Sequence, residues 1–301
     1  MAKRSEAQRR WRRRLIYPFH AVIVYLLYGL LSLLPAARAS ALGGWVGRLI
    51  GPRLGVSKTA LRNLRQALPE LSAERHQRIL VGMWDNLGRV IAEYPHLDAI
   101  LNGQGGAGLE QIGMGALRTL AEAHQAAVVV SAHLGNWELM PVAGSRQGLP
   151  LTVVHRRPNN PLTENLLVRS RRIDPKWMVP KGAEGARQLL AALLNRGTIG
   201  LLIDQKMNDG IAVPFFGRPA MTAPAAAAFA LKFRCPIIPA RVERLEGATF
   251  RLTVFPALEI VSTGDPAADK LAIMTQINEL VESWIRERPE QWLWLHRRWP
   301  D

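Results

Sequence analysis

The sequence predicts an α/β fold with a mainly parallel central sheet flanked by helices and preceded by an apolar N-terminal helix. Short β-branched runs alternate with segments of helical periodicity, at the spacing of strand–helix–strand units. At 301 residues the chain can bury one large α/β core. The predicted strands are 126–131, 151–154, 176–179, 198–203, 236–241 and 249–255, and the predicted helices are 136–144, 161–171, 183–195, 223–233 and 267–287.

The N-terminus has the composition of a membrane anchor. A basic tail over residues 1–14 precedes an uncharged apolar stretch over 15–34, which Pro35 closes. Twenty apolar residues are about the length needed to cross a bilayer, so we predict an anchor helix over 15–35. A cleaved signal peptide and a helix lying in the membrane plane are the alternatives. Arginines follow the apolar stretch as well as precede it, so the orientation stays open.

The net charge of +15 is unevenly distributed. Residues 1–65 hold 13 lysines and arginines against a single acidic residue, Glu6, whereas the rest of the chain is nearly neutral. A basic excess confined to the N-terminal region favours an anionic membrane surface over nucleic acid as the partner.

The remaining chain, 36–301, is predicted to form one domain in two parts. Residues 36–125 are mainly helical, and Ser72 is placed to cap a helix whose apolar residues recur every three or four positions. Residues 126–301 form the α/β part, where we expect the chemistry.

The composition excludes several kinds of site. Cys235 is the only cysteine, so an intramolecular disulfide and a cysteine-based zinc site are excluded. The histidines form no tight metal-binding pair, and we predict neither a metal nor a cofactor. Ser131 lacks the Gly-x-Ser-x-Gly context of a serine nucleophile.

The segment His133-Leu-Gly-Asn-Trp-Glu138 directly follows the strand predicted at 126–131. A histidine at this position lies where α/β folds place their chemistry, beyond the carboxyl end of a strand. In a continuous helix, side chains five positions apart diverge, so His133 and Glu138 meet only if a turn separates them. We therefore expect His133 to be a general base and Glu138 to be the carboxylate that orients it.

Several segments together carry a family resemblance. The chain resembles the lipid A biosynthesis lauroyl/myristoyl acyltransferases of Gram-negative bacteria, within the lysophospholipid acyltransferase superfamily. The matching segments follow one another in order: HLGNWE at 133–138, RPNNP at 157–161, LLIDQ at 201–205, VPFFG at 213–217 and PEQWLWLHRRW at 289–299.

The resemblance implies a glycerolipid acyltransferase-like fold and a direct acyl transfer. An acyl chain would pass from acyl-carrier protein to a hydroxyl of a lipid acceptor at the bacterial inner membrane, on the cytoplasmic side, without a covalent acyl-enzyme. His133 would take the hydroxyl proton, and Glu138 would support the imidazole.

The expected substrate-binding residues come from the same segments. Asp204 is as consistent with a structural ion pair as with a direct part in the chemistry. Phe216 is as consistent with plain core packing as with a hydrophobic lip for an acyl chain. The backbone N–H groups of Gly135 and Asn136 are candidates for the oxyanion. The full expected set is Asn136, Arg157, Asn160, Arg171, Asp204, Gln205, Phe216 and Gly217.

Two departures affect the acceptor side: His155 stands where the family often has tyrosine, and the residues after the helix arginine, Arg171, lack the glycine that many members carry. Acylation of a lysophospholipid or an aminolipid, from acyl-carrier protein or acyl-CoA, is therefore an alternative. A non-catalytic membrane-associated binding protein is the alternative of another class.

Overall fold

A computed structural model describes residues 15–149 and 151–299. The basic tail predicted over 1–14 lies outside the described residues. The helices are α1 (Tyr17–Ser32), α2 (Ala36–Ile50), α3 (Ser57–Ala67), α4 (Ala73–Glu93), α5 (Leu97–Leu101), α6 (Met114–Glu122), α7 (Leu139–Arg146), α8 (Glu164–Arg171), α9 (Ala183–Leu194), α10 (Ala225–Phe233) and α11 (Pro266–Glu287). The strands are β1 (Gly108–Ile112), β2 (Ala127–Ser131), β3 (Leu151–His155), β4 (Met178–Pro180), β5 (Thr198–Leu202), β6 (Ile211–Phe215), β7 (Arg218–Thr222), β8 (Ile237–Glu246) and β9 (Thr249–Val254).

Seven strands form the central sheet, in the order β1-β9-β8-β2-β5-β3-β4. Neighbouring strands run parallel except for β8 and β9, which pair antiparallel. This confirms the predicted mixed fold with a mostly parallel sheet.

The sheet has a hydrophobic core on each face. Strand β2 is buried along its whole length, with Val128 and Val130 in one core and Ala127 and Val129 in the other. Because successive side chains point to opposite faces, a continuous apolar run is what a strand covered on both sides requires.

The predicted strands of the α/β part agree with the structure to within a few residues, but two elements differ from expectation. Strand β1 pairs with β9 from within the segment 36–125, which was expected to be helical. The hairpin of β6 and β7 was not predicted, because Pro214 and Pro219 face each other across it and proline is rare inside strands.

The N-terminal helix is shorter than predicted. Helix α1 has 16 residues, about 24 Å at 1.5 Å per residue, and it ends before Pro35. Within the described ranges, no helix combines the length and the apolar composition needed to cross a membrane. The predicted span over 15–35 is therefore not supported.

Helix α2 packs closely on α4 through glycines. A Cβ on Gly88 of α4 would lie 2.1 Å from the carbonyl oxygen of Gly43 on α2. Ser72 caps α4 as predicted, since its hydroxyl accepts a hydrogen bond from the backbone N–H of Arg75 at 3.3 Å.

Candidate active site

The carboxyl ends of two neighbouring parallel strands build the centre of the site. His133 lies two residues beyond β2 and Asp204 two residues beyond β5. The parallel register of β2 and β5 continues past the strand ends, where the N–H of Ile203 donates to the carbonyl of Ser131 at 3.0 Å. Residues at the same distance past the two ends therefore lie side by side.

Asp204 contacts both the imidazole and the backbone of His133. Its Oδ1 lies 2.8 Å from Nδ1 of the ring, and its Oδ2 accepts the backbone N–H of His133 at 3.1 Å. Trp292 donates its indole N–H to the same Oδ2 at 2.7 Å. Asp204 is 1% exposed, so this contact is shielded from water.

The pKa shifts follow from this geometry. Burial alone would lower the pKa of His133, but the neighbouring Asp204 carboxylate outweighs it, and the pKa is raised. Burial would raise the pKa of the Asp204 carboxyl, but His133 and the hydrogen bonds to Asp204 hold it well below its usual range. An ionised Asp204 accepts the proton on Nδ1, which leaves Nε2 of neutral His133 free to act as a base.

Glu138 does not hold the His133 ring, contrary to the sequence-based expectation. Its Oε1 accepts from Arg171 Nη2 at 2.9 Å, from the hydroxyl of Tyr94 at 2.8 Å and from the indole of Trp137 at 3.2 Å. The Glu138 carboxylate still contributes charge near His133 and helps to raise the pKa of the ring. The sequence motif relates only residues that are close along the chain, whereas the carboxylate that orients His133 is that of Asp204, which follows the neighbouring strand.

Arg171 keeps Glu138 ionised inside the protein. Burial would raise the pKa of Glu138, but the Arg171 guanidinium outweighs it and the pKa is lowered. On its other side, Arg171 Nη1 lies 3.1 Å from Nδ1 of His155. Burial and Arg171 both lower the pKa of His155, so this ring stays neutral near pH 7.

A turn at Gly135 shapes the loop between β2 and α7. Gly135 has φ +54°, and its N–H donates to the carbonyl of Gln291 at 3.2 Å. A Cβ at this position would lie 2.5 Å from the carbonyl oxygen of Val242. The positive φ and the lack of space for a Cβ therefore require glycine here. Because the N–H of Gly135 already donates to Gln291, it is not available for the oxyanion role expected from the sequence.

Asn136 is fully buried beneath this turn. Its Oδ1 accepts the backbone N–H of Glu138 at 3.2 Å, and its Nδ2 donates to Glu93 at 2.9 Å. Helix α7 begins at Leu139 and not at 136, so Asn136 is not its N-cap. Asn136 shapes the turn, and its buried amide is hydrogen-bonded inside the protein. It is therefore not exposed for the expected contact with substrate.

The expected residues of the 157–161 segment are divided between surface and interior. Arg157 is exposed and lies 3.2 Å from Glu164. Asn160 is buried, where it donates to the carbonyl of Tyr17 at 2.8 Å and accepts from the N–H of Leu162. Asn160 thus attaches this segment to α1, and its amide is used inside the protein.

Phe216 and Gly217 form the two-residue turn between β6 and β7. Both have positive φ, +52° and +66°, as this type of hairpin requires. Phe216 is 6% exposed and packs against Phe215, Trp294 and Trp299. Phe216 therefore belongs to the core and does not form a lip for an acyl chain.

Gln205 lies beside the reactive nitrogen of His133. Its amide nitrogen is 3.2 Å from Nε2 of His133 and 2.9 Å from Nε2 of His296. Trp137 packs edge-on against the His133 ring, with 5.1 Å between the ring centroids. Among the described residues, no group of three or more histidines, cysteines or carboxylates is arranged to hold a metal ion.

Sequence reasoning missed Tyr94, Trp292 and His296 as members of this site. Trp292 and His296 lie in the 289–299 segment, whose resemblance to the family assigned no role in the site to either residue. A backbone bridge between Leu134 and Trp292 brings this segment beside the His133 loop. No local pattern at Tyr94 marks its contact with Glu138.

Taken together, the fold and this geometry define an α/β protein whose strand-edge histidine, held by a buried carboxylate, is suited to general-base chemistry. Residues 6–301 match the family described as bacterial lipid A biosynthesis acyltransferase. The chain therefore belongs to that family, as the resemblance indicated, and it is an acyltransferase.

Individual relatives agree with this assignment. The chain is 25% identical to the lipid A biosynthesis palmitoleoyltransferase of Escherichia coli (strain K12) over 264 residues, which cover 85% of this chain and 83% of that protein. It is also 25% identical to the lipid A biosynthesis lauroyltransferase of the same organism over 251 residues, 80% of this chain and 78% of that protein. The lipid A biosynthesis acyltransferase of Shigella flexneri is similar to the same extent as the first.

Proposed function

We propose that this chain transfers a fatty acyl group from acyl-carrier protein directly to a hydroxyl of a lipid A precursor, with His133 as the general base. The observation that carries the proposal is the contact of His133 Nδ1 with the buried carboxylate of Asp204, because it places the proton of the neutral ring on Nδ1 and leaves Nε2 as the base. The family membership supports the acyl transfer and the class of acceptor.

In this mechanism the acceptor oxygen attacks the thioester carbonyl while its proton moves to Nε2 of His133. Asp204 stabilises the resulting imidazolium, and Glu138 adds a second negative charge at longer range. Base catalysis of this kind contributes roughly 10² to 10⁴ in rate. The proton then passes to the leaving thiolate.

Direct transfer, without an acyl-enzyme, is supported by the positions of the Ser131 hydroxyl and the Cys235 thiol. Ser131 is buried within β2. Cys235 is buried directly before β8, at the opposite end of the sheet from His133, and burial raises the pKa of its thiol.

Cationic side chains around the site mouth suit the phosphates of a lipid A precursor or of the phosphopantetheine donor. Arg156 and Lys181 are close enough to His296 to contribute to lowering its pKa, and Arg157 is exposed nearby. Guanidinium groups bind phosphate with paired hydrogen bonds.

We also propose that α1 and α2 attach the protein to the cytoplasmic face of the inner membrane by lying on it. Helix α1 buries only Ala21, and most of its other apolar side chains are exposed. A helix that is apolar almost all round yet lies at the surface indicates a lipid-facing role. The exposed apolar side chains include Phe19, Val22, Leu26, Leu30, Leu33, Leu42, Trp45 and Leu49.

The proposal is tested by mass spectrometry of lipid A from cells with the gene, without it, and with His133→Ala in its place. We expect the deletion to lack one acyl chain and His133→Ala to leave it missing at normal protein level. Unchanged lipid A in the deletion, with altered phospholipids or aminolipids instead, would show a different acceptor. Full restoration by His133→Ala would contradict the catalytic assignment.

A further inference from the structure

Gln205, beside the reactive nitrogen of His133, and His296, in contact with Gln205, have no role in the mechanism above. The amide nitrogen of Gln205 lies 3.2 Å from Nε2 of His133, the distance at which a base receives a proton. The amide therefore occupies the position that the acceptor hydroxyl must reach. Both Gln205 and His296 are partly exposed at the mouth of the site.

The protonation states determine the direction of these hydrogen bonds. Because Asp204 accepts from Nδ1 of His133, the neutral ring presents a lone pair at Nε2, to which the amide donates. Burial and the nearby His133 lower the pKa of His296, so that ring is also neutral and accepts the second N–H at 2.9 Å. The amide nitrogen thus donates one hydrogen to each imidazole.

Direct acyl transfer requires a donor for the oxygen that becomes negative. As the acceptor oxygen bonds to the thioester carbon, the carbonyl π pair moves onto its oxygen. When that pair returns, the carbon–sulfur bond breaks and the thiolate takes the proton held by His133. The negative oxygen needs a donor at about 2.7–3.1 Å in between.

Several other donors near His133 are already used within the protein. The N–H of Gly135 donates to Gln291, and the N–H of Glu138 donates to Asn136. The guanidinium of Arg171 contacts Glu138 and His155. Of the side chains described as touching Nε2 of His133, Gln205 is the one that supplies N–H groups.

We propose that Gln205 is a catalytic residue that donates its amide N–H to the thioester oxyanion, and that His296 is the positioning residue that holds this amide in place. The inference rests on the proposed acyl transfer. When the acceptor hydroxyl takes over Nε2 of His133, the displaced amide keeps its contact with His296. Its freed N–H then faces the carbonyl under attack.

The test compares steady-state kinetics of the full-length protein, with acyl-acyl-carrier protein and a lipid A precursor, for the wild type, Gln205→Leu and Gln205→Ser. Both variants should lose about 10²–10³ in kcat, the effect of removing one oxyanion donor, with little change in KM. Gln188→Leu, a change at an exposed glutamine on α9, is the matched control and should leave kcat unchanged. Wild-type kcat in folded Gln205→Leu or Gln205→Ser, or a loss confined to KM, would overturn the proposal.

A double-mutant cycle tests the role of His296. His296→Phe should lower kcat, and adding it to Gln205→Leu should cause no further loss, because His296 acts through the amide. Additive losses would overturn the positioning role. Absence of product with the wild type would overturn the proposed function, and the inference with it. Normal wild-type product with undiminished variants would overturn the inference alone.

Discussion

At His133 two opposing effects set the pKa of the imidazole. Burial disfavours the imidazolium and lowers the pKa, whereas the Asp204 carboxylate favours it and raises the pKa, and the carboxylate prevails. A base whose pKa is raised in this way takes a proton from a hydroxyl more readily, while the contact at Nδ1 places the proton of the neutral ring on Nδ1 and leaves the lone pair on Nε2.

Replacing Asp204 with asparagine removes the charge that raises the pKa of His133. The pKa of the ring should fall, so the acid limb of the kcat/KM profile should move to lower pH. We expect kcat to fall by about 10²–10⁴, because an amide does not select the required tautomer. The exposed Asp209→Asn is the control. An unchanged pH profile in Asp204→Asn would contradict this account.

Gly135 and Gly217 both have positive φ but differ in the space around them. A Cβ on Gly135 would lie 2.5 Å from the carbonyl oxygen of Val242, whereas a Cβ on Gly217 would meet nothing within 4 Å. Both alanine variants should lose about 1 kcal/mol to backbone strain. Gly135→Ala should lose about 1–3 kcal/mol more through the clash. Urea denaturation measures both, and equal losses would contradict the steric argument.

At the scale of the secondary-structure elements, α1 carries the clearest outward apolar surface among the residues that the structure describes. It contacts the rest of the protein along a narrow stripe and presents leucines and a phenylalanine outward. The in-plane position on the bilayer proposed above would cover this surface.

Leu26→Glu with Leu30→Glu should weaken binding to anionic lipid vesicles by at least about tenfold, since each buried leucine contributes about 1.5–3 kcal/mol. Co-sedimentation with the vesicles measures the loss. Leu194→Glu changes an equally exposed leucine on α9 and should bind like the wild type. Equal binding by all three proteins would contradict the in-plane arrangement.

At the scale of the whole molecule, a buried polar cluster joins the helical N-terminal part to the sheet. Glu93 of α4 pairs with Arg244 of β8 and accepts hydrogen bonds from Ser40 of α2 and from Asn136 below the His133 turn. Glu93 has no exposed surface. Four separate parts of the chain therefore meet at one carboxylate.

Glu93→Met should lower the free energy of unfolding by about 3–5 kcal/mol, because it leaves the Arg244 guanidinium buried without a counter-charge. The double variant with Arg244→Met should recover part of the loss, since the uncompensated charge is removed. Chemical denaturation followed by circular dichroism compares the two proteins. A double variant less stable than Glu93→Met would contradict this interpretation.

Much of the α/β part was predictable because strands covered on both faces are continuous apolar runs, as Val128, Val129 and Val130 show. The hairpin of β6 and β7 was not predictable, since two prolines and a Phe-Gly turn conceal it. Only the burial of the Phe216 ring explains why phenylalanine occupies a turn position that favours glycine.

The location of the site could be predicted from the sequence, but the contacts between its residues could not. The motif at 133–138 located the base, and the 201–205 segment supplied Asp204 and Gln205. The pairing of His133 with Asp204 depends on which strands are neighbours, and local spacing carries no information on strand order. For the same reason the sequence assigned Glu138 to the histidine when its partner is Arg171.

The hydrogen bonds of α1 bear on how a soluble form of this enzyme should be made. Deleting the helix would remove its apolar surface but would also uncover the amide of Asn160, the carbonyl of Leu162 and the hydroxyl of Ser170, which three tyrosines of α1 now contact. Ser170 is the neighbour of Arg171. Exchanging the outward leucines for polar residues, while keeping those tyrosines, would reduce the exposed apolar surface. The helix that carries Arg171, α8, would keep its support.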